Sequence, residues 1–470
     1  MLMPLSVMLM LSFLLHIHLC FVVERIAFYE IVACYAILFF LYLDVYKIIQ
    51  TKNFFFVAIA FAIFIRFLLI FAEPSFTDDF YRFAWDGHLW LEGISPFLAT
   101  PSQLIESCQT ATPLISDAFC EQMLPIYEKL NSPDYFSIYP PVCQWIFAFG
   151  VWCFPNHIIG AVGMMKFCVF WLECGSIYLI YKLLLQFGLP YKNTLLYALN
   201  PLIIIELCGN LHFEAAMIFF VLYAIYKLKI IEDKKKFSHY IRSAIAMSLA
   251  FCSKLIPLIF LPFLVKRLGF KKLFLYLFVM AFVSILAFLP LLNLEVIHHL
   301  LNSVGLYFHS FEFNASIYYL FREIGFLITG YNIIHFSGKL LAIFTFFSIT
   351  TLAYKEKNLT NQHLAQVFMW SLFLYLAFAT TVHPWYLCAL IAFSVFTPFR
   401  FPIVWSFVVM LSYYTYITEN YHENMFLVAV EYLVLYIYLA YELWKNNFFK
   451  KEKLIKPVTT KTPQSKKMLV

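Results

Sequence analysis

The feature that most constrains this chain is the recurrence of apolar runs long enough to cross a lipid bilayer. A helix needs roughly 20 apolar residues to span a hydrocarbon core of about 30 Å. The first three such runs are Pro4–Val23, Phe28–Tyr46 and Phe54–Phe71, and others follow almost to the C-terminus. Inside lipid the backbone has no water to bond with, so these runs must be helical. The composition agrees: 63% of residues are hydrophobic and 13% charged, against roughly 25% charged in a soluble domain. The expected fold is an all-α polytopic membrane protein of about eleven to thirteen spans.

Charge gives the expected sidedness. Lys47 and Lys52 lie between the second and third runs and mark that turn as cytoplasmic. Residues 73–137 then fall outside, as one long loop carrying interfacial helices. A short helix beginning at Tyr139-Pro140-Pro141 dips in from the outer surface, where proline is tolerated at a helix start. Spans follow at about Ile158–Leu185, Leu195–Leu207 and Phe213–Ile230. Two basic stretches, from Glu232 and from Lys266, are separated by a single apolar segment. Ser243–Val265 is therefore read as re-entrant, broken at Lys254 and Pro257. Beyond it come Leu273–Leu289, a second external loop from Phe308, and spans near Ile333–Ala353, Leu364–Thr380, Trp385–Phe396, Pro402–Ile417 and Phe426–Trp444. The chain thus divides into N-terminal helices (1–72), an external loop (73–137), a helical bundle (138–445) and a basic cytoplasmic tail (446–470), the tail disordered by its composition.

The net charge of +6 comes from lysines clustered in inter-helix turns and the tail, which argues against nucleic acid as a partner. The 11 cysteines form no CxxC pair and the 13 glycines no phosphate-binding loop, so zinc, redox and P-loop chemistry find no support. Cys108 and Cys120, both in the external loop, are expected to be bridged in an oxidising compartment.

The polar centre is EPSFTDDFYRFAWDGHLWLEGISPF, from Glu73. A helix starting near Asp79 places Asp79, Arg82 and Asp86 on one face. Phe80, Phe83, Ala84 and Leu91 would face lipid from an interfacial helix. The plainer reading makes Asp79 a helix cap and Arg82–Asp86 a solvated i, i+4 pair. Other polar residues predicted on the same membrane side are Tyr139, Glu206, Asn210, His212, Glu214, Lys254, Glu312, Asn314, Arg322 and His383. His212 and His383 could equally cap helices, Lys254 could snorkel, and Glu206 and Glu214 could be ordinary helix-end residues. Taken together, the set suits transfer of a group from a lipid phosphate. A carboxylate would deprotonate an acceptor hydroxyl, and Arg82, Lys254 or His383 would stabilise the departing phosphate.

TDDFYRFAWDGHLWLEGISPF followed by SIYPP resembles the first external loop of GT-C superfamily glycosyltransferases that use polyprenyl-phosphate donors. It is closest to bacterial mannosyltransferase-like members and more distantly similar to the enzyme adding the first mannose of the GPI anchor. ALNPLIIIELCGNLHFEA, SKLIPLIFLPF, FEFNASIYYL and HPWY extend the resemblance over most of residues 60–400. It implies a GT-C-like bundle and an inverting transfer to a glycolipid or glycan, with no required cofactor and a divalent metal optional. It also implies a loop aspartate as general base, which maps onto Asp78 or Asp79. Asp79 is preferred because it shares a face with Arg82 and Asp86. The eukaryotic relatives carry D-x-D, whereas Phe80 fills the third position here, so both aspartates stay open. The implied location is a bacterial inner membrane with the site on the external face. Two alternatives share the polytopic form: a lipid-linked sugar flippase, and a polysaccharide polymerase or ligase.

Overall fold

The computed structural model describes residues 3–110, 114–234, 237–291, 296, 311–418 and 421–446. The tail from 447 and residues 308–310 of the external loop from Phe308 lie outside the described residues. Among those described, the chain is helical, and the only β-type pairing is an isolated bridge between Phe313 and Thr381.

Two helices and a third open the chain: α1 (Leu5–Phe21), α2 (Phe28–Ile48) and α3 (Lys52–Leu68), the last capped by the Thr51 side chain. The external segment carries α4 (Asp79–Leu91), α5 (Pro101–Ser107) and α6 (Asp117–Tyr127). Thr100 and Gln103 form a reciprocal capping box at the start of α5, with Pro101 at its first position. Cys108 and Cys120 are disulfide-bonded as expected and tie α5 to α6.

The bundle continues with α7 (Pro141–Cys153), α8 (Ile158–Gln186), α9 (Thr194–Ala198) and α10 (Pro201–Ile203). After α10 a π-helical turn, Ile204–Gly209, bends away from α11 (Glu214–Lys234) by 114°. Next are α12 (Phe237–Phe251), α13 (Pro262–Phe288), α14 (Ile317–Thr329), α15 (Ile334–Lys355) and α16 (Asn361–Phe378). The last are α17 (Leu387–Ser394), α18 (Phe401–Val408) and α19 (Met425–Lys445).

Six of these helical stretches are long and apolar enough to cross a membrane, and the bent pair around the π-turn makes a seventh. Four shorter apolar helices bring the number to the lower end of the expected range only if each also crosses. The protein is a multi-pass integral membrane protein.

The break expected at Lys254 is present. α12 ends at Phe251, a 3-10 turn containing Pro257 runs over Ile256–Phe260, and Arg267 pairs with Glu356 at 2.6 Å. Glu356 follows the C-terminus of α15, whereas Lys254 lies beside Glu214 at the start of α11. Lys254 and Arg267, 13 residues apart in sequence, thus pair beside different helix ends.

The helix α4 departs from expectation. Phe80, Phe83 and Ala84 are buried in protein rather than presented to lipid, and only Leu91 is exposed. Phe83 stacks on Phe147 with centroids 4.7 Å apart and meets Phe213 edge-on at 5.3 Å. Burying each such ring contributes roughly 1.5–3 kcal/mol. Gly87 permits the approach, because a Cβ there would lie 2.7 Å from the Phe147 carbonyl oxygen and 2.8 Å from Val151. On its other side Trp85 and Leu89 pack with Leu104, Phe119 and Met123, so the disulfide-tied loop sits on α4 as a small second core. This double packing fixes the acidic N-terminus of α4.

Candidate active site

A cavity of about 560 Å³ opens at that N-terminus. Its walls come from the start of α4, the connection 131–139, the turn before α11, the break after α12 and the connection ahead of α17. Of the expected site residues, Asp78, Asp79, Arg82, Tyr139, His212, Glu214, Lys254 and His383 line it. Asp86, Glu206, Asn210, Glu312, Asn314 and Arg322 do not.

The two adjacent acids are held differently. Asp78 occupies the N-cap position of α4 without making a side-chain cap bond. Its carboxylate instead accepts from Arg25 Nη2 at 2.6 Å, and the same guanidinium lies 4.7 Å from the centroid of Tyr416. Asp79 is bound by neutral groups. Asn131 Nδ2 donates to one carboxylate oxygen at 3.0 Å, and the Tyr139 hydroxyl lies 3.5 Å from the other. Burial, followed by the charge of Asp79, keeps the Tyr139 phenol protonated by pushing its pKa well above the usual value.

Arg82 and Asp86 do pair i to i+4, at 2.9 Å, but the pair is buried rather than solvated. Arg82 also donates to the carbonyls of Ser132 and Tyr135, at 3.3 and 2.9 Å. Asp86 accepts from the Ser137 hydroxyl and from Gln144 Nε2, the latter at 2.9 Å. Together they clamp the 132–137 connection to α4. The Nη2 atom of Arg82 is buried without a hydrogen-bond partner among the described residues.

Glu206 lies in the π-helical turn, behind His212. Its carboxylate accepts from the Tyr413 hydroxyl at 2.6 Å and from Asn210 Nδ2 at 3.2 Å. His212 faces the Glu206 main-chain carbonyl at 2.9 Å and its carboxylate at 3.3 Å. Leu211, with φ of 62°, makes the sharp turn that brings His212 to the wall. The His212 ring stacks on Trp385 at 3.8 Å, and Trp385 stacks on His383 at 4.4 Å. Phe313 closes the column against His383 at 4.6 Å. Lys254 meets Glu214 at 2.7 Å and lies 5.2 Å from the Tyr386 ring centroid.

The charge expected on His383 does not fit its surroundings. Burial, then the neighbouring His212 and Lys254, lower its pKa to about 3. This favours the uncharged ring at neutral pH, stacked between Phe313 and Trp385. Asn314 acts at a distance. Its main-chain N–H donates to Glu423 at 2.5 Å and its amide to Glu431 at 3.2 Å. These contacts hold the strand-like pairing in which Val382 donates to the Phe313 carbonyl at 2.8 Å.

Among the lining residues that the sequence reading did not single out are Arg25, Asn131 and Trp385. Arg25 sits in a short turn between two apolar runs, where a lone Glu24-Arg25 pair was the available signal. Trp385 lies within the HPWY motif but carries no charge to draw notice. Among the described residues, no three His, Cys, Asp or Glu side chains group as a metal site.

Residues 23–268 match the family model described as MptA_B family: Alpha-(1->6)-mannopyranosyltransferase, N-terminal domain. No curated protein matches the chain.

Proposed function

Because the chain belongs to the MptA_B family of alpha-(1->6)-mannopyranosyltransferases, we propose that this membrane-embedded glycosyltransferase moves a mannosyl group from a polyprenyl phosphate to a hydroxyl of a glycolipid or glycan. The observation carrying the proposal is the contrast between the two acids on the cavity wall. Asp78 is occupied by Arg25, whereas Asp79 is oriented by Asn131 and Tyr139 and has no cation at ion-pair distance among the described residues.

In the proposed reaction Asp79 takes the proton of the acceptor hydroxyl as that oxygen bonds to C1 of the mannosyl group. The bond from C1 to the phosphate oxygen breaks, and its electron pair leaves with the prenyl phosphate. A single displacement inverts the anomeric centre. Lys254 and the unpartnered edge of Arg82 supply positive charge where the departing phosphate accumulates negative charge. The remaining lining is rich in rings, among them Tyr135, Tyr386 and Tyr416, which suit the apolar faces of a sugar.

The external placement of the site rests on two supports. The disulfide belongs to the loop that packs on α4, and disulfides persist in oxidising compartments. Lys47 and Lys52 lie at the ends of α2 and α3 remote from Arg25 and Asp78, as cytoplasmic residues should. A bacterial inner membrane is the location proposed from the resemblance to bacterial mannosyltransferases, and these two features support an external site within it.

The test is transfer by the full chain in membrane vesicles supplied with radiolabelled polyprenyl phosphate mannose and a glycolipid acceptor. The expected product is a mannoside of inverted configuration. Label crossing the bilayer without a glycosidic product would replace the enzyme with a transporter.

A further inference from the structure

His212 is 4% exposed yet belongs to the cavity wall. Its Nδ1 meets two oxygen atoms of Glu206, the main-chain carbonyl and a carboxylate oxygen, and both can only accept. In the neutral ring the proton must therefore sit on Nδ1, which leaves a lone pair on Nε2. That atom is buried and has no hydrogen-bond partner among the described residues. With Nδ1 turned back onto Glu206, Nε2 lies on the ring edge away from Glu206, in a residue that lines the cavity. The ring cannot swing to find another partner, because Trp385 stacks on its face at 3.8 Å and is itself backed by His383.

A buried acceptor left unsatisfied destabilises the fold. The fold nevertheless holds this one in place with a π-helical turn and a positive-φ leucine. π-turns of this kind occur frequently at functional sites. The chemical complement of the neutral ring's Nε2 is a hydrogen-bond donor. Phosphate dianions and carboxylates offer no donor, but a sugar hydroxyl does.

We propose that His212 Nε2 accepts a hydrogen bond from one hydroxyl of the transferred hexose, and so selects the sugar. The inference deepens the mannosyl-transfer reading and rests on it. Lys254 lies 5.2 Å from the centroid of the Tyr386 ring, which in turn lies 5.3 Å from His383 and 6.0 Å from Trp385. A hexose whose phosphate lay at Lys254 would therefore have its ring beside the His212–Trp385 stack. Trp385 offers one apolar face and His212 one directional acceptor, a combination that fixes a sugar ring in orientation and in the position of one hydroxyl.

The experiment uses the full chain in membranes with polyprenyl phosphate mannose and its monodeoxy analogues. Wild-type enzyme should reject one monodeoxy donor by a factor on the order of 10⁴ in kcat/KM, since a site built to bind a hydroxyl discriminates strongly against its loss. His212→Phe keeps a ring to stack on Trp385 but removes the acceptor, so it should transfer slowly and show no preference between that analogue and the parent. If the Phe variant does not fold, His212→Ala is read in the same way. The inference is overturned if His212→Phe keeps the wild-type preference, including the case in which all donors slow equally because Nε2 instead serves the phosphate. It is also overturned if wild-type enzyme accepts every monodeoxy donor as well as the parent. Failure of wild-type enzyme to transfer mannose at all is a separate result and overturns the functional reading together with the inference.

Discussion

Asn131 donates a hydrogen bond to Asp79 at 3.0 Å across 52 residues of sequence. The bond joins the first turn of α4 to the connection that follows α6. It presents the Asp79 carboxylate to the cavity in one orientation, and a small misplacement of such a group costs rate steeply. Asn131→Ala should therefore lower kcat by about 10- to 100-fold with little change in KM for the donor. Initial rates over a range of donor concentrations measure both. An unchanged kcat would mean that Asn131 does not position Asp79.

The Arg82–Asp86 pair makes a stability prediction. Both side chains are buried, and Arg82 also fastens the Ser132 and Tyr135 carbonyls to α4. Asp86→Ala leaves a buried guanidinium without its counter-charge, at a cost of about 3–5 kcal/mol. Thermal unfolding of the detergent-solubilised protein should show a lowered midpoint. The double substitution Asp86→Leu with Arg82→Met, which removes both charges, should recover part of the loss.

How far the sequence reaches is clearest around α4. The apolar periods, the adjacent acids, the disulfide and the break at Lys254 could all be read, because each depends on local pattern. Whether Phe80 and Phe83 face lipid or protein could not. Both environments are apolar, and the same amphipathic pattern serves either. Gly87, which lets α7 approach closely, was the one local clue. Glu206 and Asn210 were expected among the binding groups but form the layer behind His212, an arrangement created by the π-turn. Arg25 and Asn131 reach the site from distant connections, and single residues in short polar turns carry no period from which to infer a contact.

His383 gives a pH dependence. Its folded pKa is about 3, depressed by burial, against 6.5 for the free side chain. Protonation therefore favours the unfolded chain. The stability contributed by the neutral ring is fully present above about pH 6.5 and is lost as pH falls from there towards 3. His383→Phe retains a ring between Phe313 and Trp385 and should flatten the decline in melting temperature between pH 6.5 and 5. Equal slopes for variant and wild type would contradict a buried neutral histidine.

The most direct measurement of the central claim compares Asp79→Asn and Asp78→Asn in mannosyl transfer from polyprenyl phosphate, with each variant shown to fold by its melting temperature. Asparagine preserves shape but cannot take up the acceptor proton. Asp79→Asn should lose about 10²–10⁴-fold in rate, and Asp78→Asn, which loosens Arg25, should lose less. A folded Asp79→Asn enzyme with wild-type turnover would remove Asp79 as the base and contradict the account.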